Sequence, residues 1–117
     1  RLTCARAGIV DGMRVLDLGC GWGSLTLWVA EHFPACRIVA VSNSAGQRQF
    51  IEQRCAERGF ANVSVVSADI NDFRPDEPFD RVISVEMFEH VRNHALLLER
   101  IAGWLAPGGR LFVHIFT

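Results

Sequence analysis

The sequence predicts an α/β domain built on a doubly wound, mainly parallel sheet. Three observations carry that expectation. Short strand candidates alternate with longer amphipathic helix candidates along the chain. The strand candidates are apolar nearly without interruption, as strands covered on both faces are. A glycine cluster, Gly19, Gly21 and Gly23, follows directly behind the first of them.

Met13 to Leu18 reads as the first buried strand, and a helix runs from about Ser24 to Phe33, ended by Pro34. Arg37 to Val41 is a second, β-branched run. Ser44 with Gln47 three residues on is a capping-box pattern, opening a helix to about Arg58 that Gly59 stops. Val63 to Val66 is a third strand and Phe79 to Val85 a fourth. Asn93 is placed to cap a helix in which Leu97, Ile101 and Leu105 repeat every four residues, with Pro107, Gly108 and Gly109 ending it. Arg110 to Phe116 completes the series as a fifth strand. No internal repeat, linker or low-complexity segment interrupts the pattern.

The 117 residues suit one domain, 1–117, and leave no room for a second. Twelve Lys and Arg against thirteen Asp and Glu give no electrostatic reason to expect nucleic acid or an anionic membrane surface as partner. Cys4, Cys20, Cys36 and Cys55 lie far apart without a C-x-x-C pair, which reads as reduced thiols and a cytoplasmic location. No apolar run approaches the roughly 20 residues of a membrane span. The chain opens on Arg1 and stops at Thr117 within an apolar run, so both ends are expected to be cut from a longer protein.

In such a sheet, ligands bind outside the carboxyl ends of the strands. The first of these ends is Asp17-Leu18-Gly19-Cys20-Gly21-Trp22-Gly23-Ser24, where glycine permits a tight turn and close approach of a ligand. Its third glycine comes two places after the second, whereas a dinucleotide loop wants three. The second end, Ser42-Asn43-Ser44-Ala45-Gly46-Gln47, lacks the carboxylate that grips ribose in nicotinamide enzymes. Ser42, Asn43 and Gln47 still offer hydrogen bonds to a ribose, and Gln47 serves equally as a helix cap. At the third end, Ala68-Asp69-Ile70, the Asp69 carboxylate and the Ile70 N–H suit an adenine edge; a turn-forming Asp is the alternative.

The fourth end runs Val85-Glu86-Met87-Phe88-Glu89-His90-Val91, the densest ionisable cluster in the chain. Carboxylates held close raise one another's pKa, which suits a general base near neutral pH. The competing reading is a solvated loop whose acids cap the next helix. His90 and His94 stand four apart without further ligands to complete a metal set, so no metal is expected. In the fifth strand His114 is either a packed core residue or a site residue near the strand's carboxyl end.

Val15 to Gly23 resembles motif I of class I S-adenosylmethionine-dependent methyltransferases, whose fold is Rossmann-like. Gly19 to Leu25, Ser42-Asn43-Ser44 with Gln47, Phe79-Asp80-Arg81, Phe88-Glu89-His90 and His114 together are similar to the cyclopropane-fatty-acid synthase superfamily. Ser84 to His90 and Leu111 to His114 look most like its coclaurine N-methyltransferase branch. The resemblance implies S-adenosylmethionine as cofactor, held by Asp17, Gly19, Cys20, Gly21, Gly23, Ser42, Asn43, Gln47, Ala68, Asp69, Ile70 and Val85. It implies catalytic roles for Glu86, Glu89, His90 and His114, and methylation of a small molecule, an amine nitrogen above all. Cyclopropane synthases of the superfamily act on lipid alkenes, hold bicarbonate with the equivalents of Glu89 and His114, and usually carry glycine in place of Glu86. The superfamily's N-terminal cofactor-clamping helices and its last two strands are missing from this sequence. Two other classes compete: a catalytically silent nucleoside-binding module, and a nicotinamide oxidoreductase domain.

Overall fold

The computed structural model describes residues 8–69, 72–85 and 94–114. Five strands, β1 (Arg14–Leu18), β2 (Arg37–Ser42), β3 (Val63–Ser67), β4 (Phe79–Val85) and β5 (Leu105–His114), form one sheet in the order β3-β2-β1-β4-β5. Every neighbouring pair runs parallel. Helix α1 (Ser24–His32) links β1 to β2, α2 (Ala45–Arg58) links β2 to β3, and α3 (His94–Trp104) precedes β5. The doubly wound, Rossmann-like α/β fold expected from the sequence is therefore present.

Both faces of the sheet are covered, and successive side chains along each strand alternate between them. On one face Leu16, Leu18, Val41 and Val82 pack with Leu97, Ile101 and Trp104 of α3. Phe73, from the connection between β3 and β4, meets Trp104 edge-on there, ring centroids 5.3 Å apart. On the opposite face Val15, Ile38 and Ile83 pack with Leu25, Val29 and Ala30 of α1. Ile51 and Cys55 of α2 join Leu27 in a third cluster beside it.

The helix boundaries follow their local chemistry. Ser44 Oγ accepts from the Gln47 backbone N–H at 3.3 Å, and Gly59, at φ 73°, ends α2. The reciprocal half of the expected capping box is absent: the Ser44 N–H donates to Ser42 Oγ at 3.1 Å rather than to the Gln47 side chain.

The last helix and strand differ from expectation. Helix α3 stops at Trp104, and Leu105, expected as a helical residue, opens β5 opposite Phe79. From there β4 advances to Arg81 while β5 advances to Arg110, so Pro107, Gly108 and Gly109 form an irregularity inside the strand instead of a turn before it. Proline has no N–H to give the ladder. A Cβ at Gly109 would lie 2.8 Å from the Phe79 carbonyl oxygen, so only glycine fits against β4 there. Asn93 and Phe116, read as a helix cap and a strand end, lie outside the described residues.

Candidate functional site

Because all strands are parallel, their carboxyl ends share one edge. The chain leaves β1 toward β2 on one side and leaves β4 toward β5 on the other. The switch point therefore falls between β1 and β4, where this class of sheet forms its ligand crevice.

The glycine loop rises from this point. The Gly19 and Cys20 N–H groups both donate to the Val41 carbonyl, at 3.1 and 3.0 Å, which hangs the loop on β2. The Gly23 N–H then donates to Cys20 O at 3.0 Å and delivers the chain into α1. Gly19, Gly21 and Gly23 adopt φ of 74°, 57° and 83°. At Gly23 the need for glycine is doubled, because a Cβ would sit 2.6 Å from Ile51 Cγ1 on α2. Around Gly21 a Cβ would meet nothing within 4 Å, so the loop presents backbone to open space.

Asp17 lies buried beneath the loop and accepts from Thr26 Oγ1 at 2.6 Å. That short bond ties β1 to the first turn of α1 across the glycines. Cys20 is half-buried, and burial, reinforced by the Asp17 carboxylate, pushes its thiol up to about 12. The thiol therefore stays protonated and non-nucleophilic at neutral pH.

At the end of β2, Ser42 is buried and its hydroxyl donates to Gln47 Oε1 at 2.9 Å. Asn43 is exposed beside them. The Ala68 N–H donates to the Ser42 carbonyl at 2.9 Å, which brings the end of β3 against the end of β2. Asp69 is exposed, and its carbonyl accepts from the Asp72 and Phe73 N–H groups at 2.9 and 3.1 Å.

The fold thus brings Asp17, Gly19, Cys20, Gly21, Gly23, Ser42, Asn43, Gln47, Ala68 and Asp69 to one edge. The strand backbones add Val85 and His114, which are register partners one rung beyond Ser84 and Val113. Ile70, Glu86, Glu89 and His90 lie outside the described residues. Thr26 and Ile51 went unnoticed in the sequence. Thr26 had one signal, a lone polar residue between Leu25 and Leu27; Ile51 had none, since its role depends on where α2 lands.

A cavity of about 500 Å³ opens on the α3 face beneath the connection between β3 and β4, lined by Arg14, Val39, Val66, Phe73 and Phe79 among others. Among the described residues it shares Ala68 with the crevice. Among the described residues, no group of His, Cys, Asp and Glu is placed to hold a metal ion, and no helix is long and apolar enough to cross a membrane.

The family model for mycolic acid cyclopropane synthetase matches residues 1–117. The chain is 48% identical over 112 residues to (S)-coclaurine N-methyltransferase of Thalictrum flavum subsp. glaucum, covering 96% of this chain and 31% of that protein. It is 34% identical over 116 residues to cyclopropane-fatty-acyl-phospholipid synthase of Escherichia coli (strain K12), covering 97% of this chain and 29% of that protein. Among solved structures, coclaurine N-methyltransferase bound to N-methylheliamine and SAH superposes with a TM-score of 0.94 at 46% identity, over 97% of this chain and 34% of that one. The chain spans about a third of the length of the relatives it matches.

Proposed function

The chain belongs to the mycolic acid cyclopropane synthetase family, and from that premise we propose that it is the S-adenosylmethionine-binding part of a longer enzyme that methylates an amine nitrogen on a small molecule. The observation that carries the reading is the left-handed glycine loop at the β1/β4 switch point, with no carboxylate at the end of β2. A loop of this spacing departs from the diphosphate-binding pattern of a dinucleotide site. The likeness to the coclaurine enzyme and its SAH complex supports the same cofactor.

In this reading Gly19, Cys20, Gly21 and Gly23 would hold the methionine portion of the cofactor, with Asp17 ordering the loop through Thr26. Ser42, Asn43 and Gln47 would serve the ribose, and Ala68, Asp69, Ile70 and Val85 the adenine. S-adenosylmethionine, when bound, supplies an electrophilic methyl group on a sulfonium. Glu89 or His90 would take the proton from the substrate ammonium and so leave the nitrogen lone pair free to accept the methyl group that the cofactor would supply. Glu86 steadies the positive charge that develops on nitrogen. Holding the two reactants in line contributes roughly 7–11 kcal/mol in favourable model systems.

A second reading rests on the Escherichia coli relative: methyl transfer to a lipid alkene, with Glu89 and His114 holding bicarbonate as base. Glu86 favours the amine, since cyclopropane synthases usually carry glycine there. A cytoplasmic location is proposed as well, supported by the free thiols of Cys20, Cys36 and Cys55.

Mass spectrometry of products from the whole enzyme separates the two readings: the amine gains a methyl group, whereas ring closure adds CH2 to an olefin. Glu89→Ala is expected to lower kcat by roughly 10²-fold or more, with cofactor affinity nearly unchanged. Lost cofactor binding alongside normal chemistry would contradict the role given to Glu89.

A further inference from the structure

In a capping box the side chain of the third helical residue reaches back to the N–H of the capping residue. Gln47 holds that third place in α2, yet its side chain is released from the task. The Ser44 N–H donates to Ser42 Oγ at 3.1 Å, so the cap is completed from the end of β2. The same hydroxyl donates to Gln47 Oε1 at 2.9 Å, and the other acceptor within its reach, the Ser44 carbonyl, stands farther off at 3.4 Å.

These bonds divide the work between the two residues. Ser42 is only 4% exposed, and its single proton goes to Gln47, which leaves none to give a ligand. Gln47 is half-buried. Its amide carries one acceptor oxygen and one NH2 group with two donors. With Oε1 turned to Ser42, Nε2 is turned away from it, and Nε2 makes no hydrogen bond among the described residues. Ser42 is the last residue of β2 and Gln47 lies in the first turn of α2, so the amide is held at the strand end where nucleoside-binding α/β folds put a carboxylate. A carboxylate accepts from the ribose hydroxyls. An amide clamped through its oxygen reverses the sense of the bond: the protein donates and a ribose oxygen accepts.

We infer that Ser42 is a positioning residue that fixes the Gln47 amide with its NH2 group toward the ribose, so that the cofactor is selected through a ribose hydroxyl serving as acceptor. The inference rests on the methyltransferase reading above and refines it, because Ser42 acts through Gln47 without touching the cofactor. An amide that turns over exchanges its donor for an acceptor, whereas the two oxygens of a carboxylate are alike. Ser42 is therefore needed beside Gln47 and dispensable beside a glutamate.

The test uses the whole enzyme, with S-adenosylhomocysteine and its 2′-deoxy and 3′-deoxy analogues as calorimetric probes. The wild type should bind S-adenosylhomocysteine roughly 3–10-fold more tightly than at least one deoxy analogue, the effect of one neutral hydrogen bond. Ser42→Ala should lose most of that preference, by weakening S-adenosylhomocysteine while leaving the same analogue nearly unchanged. In Gln47→Ala and Gln47→Glu backgrounds, Ser42→Ala should have little further effect. Wild-type preference among the probes in Ser42→Ala, or no preference in the wild type, would overturn the inference. Equal weakening of all three probes, or the same loss in every Gln47 background, would also overturn it, by showing that Ser42 only braces the turn through Ser44. Failure of the wild type to bind S-adenosylhomocysteine would instead remove the underlying methyltransferase reading.

Discussion

Gly23 concentrates two demands on one residue. Its φ of 83° is a conformation that costs an L-residue about 1–2 kcal/mol, and Ile51 occupies the place of its missing Cβ. Overpacking of that kind typically adds about 1–3 kcal/mol. Gly23→Ala should therefore lower stability by about 2–5 kcal/mol in urea denaturation, the two costs together. The double variant Gly23→Ala/Ile51→Ala should be less destabilised than the two single changes predict, because removing Ile51 relieves the clash but not the backbone strain. Strict additivity would show that Ile51 does not press on the loop. The contact also explains how α2, which carries Gln47 at its start, is kept in fixed relation to the glycines.

Among the elements, β3 is joined to the rest of the sheet by more than its ladder. The Asn62 side-chain amide, just before β3, donates toward the carbonyls of Ala30, Phe33 and Cys36 at 3.5, 3.4 and 3.0 Å. These carbonyls lie at the end of α1 and the approach to β2, so one residue gathers three segments. Asn62→Ala should lower the urea midpoint by an amount equivalent to about 1–2 kcal/mol, while the crevice residues at the opposite end of the strands keep their cofactor affinity. A loss of affinity without a loss of stability would contradict that division. Elements such as β1, α2 and the glycine loop were legible because their signals are local: apolar runs, a Ser44 cap, alternating glycines. The start of β5 was not, because Leu105 is made a strand residue by Phe79, twenty-six positions earlier, and no periodicity reports a partner that distant. The site divides in the same way. Asp17 and the glycines announced themselves by spacing, whereas the Asp17–Thr26 bond and the passage of the Ser42 hydroxyl to Gln47 depend on which groups the turns bring together.

At the scale of the whole molecule, the sheet ends on β3 and β5, and β5 carries the half-buried Leu111 and Phe112 to that edge. Leu96 and Leu98 of α3 remain 41% and 43% exposed. Apolar strand edges promote association between copies. The 117-residue segment by itself should therefore self-associate in light scattering and show little turnover, and the full-length enzyme should be monodisperse and active. A monodisperse, fully active segment would argue against a larger whole. The central claim concerns the crevice between β1 and β4, whose glycine spacing and uncharged β2 end suit a sulfonium nucleoside rather than a dinucleotide. Isothermal titration of the full-length enzyme with S-adenosylmethionine and, separately, with NAD tests it most directly. The account predicts saturable binding of S-adenosylmethionine, weakened by Gly23→Ala, and no heat from NAD. Binding of NAD with no response to S-adenosylmethionine would contradict it.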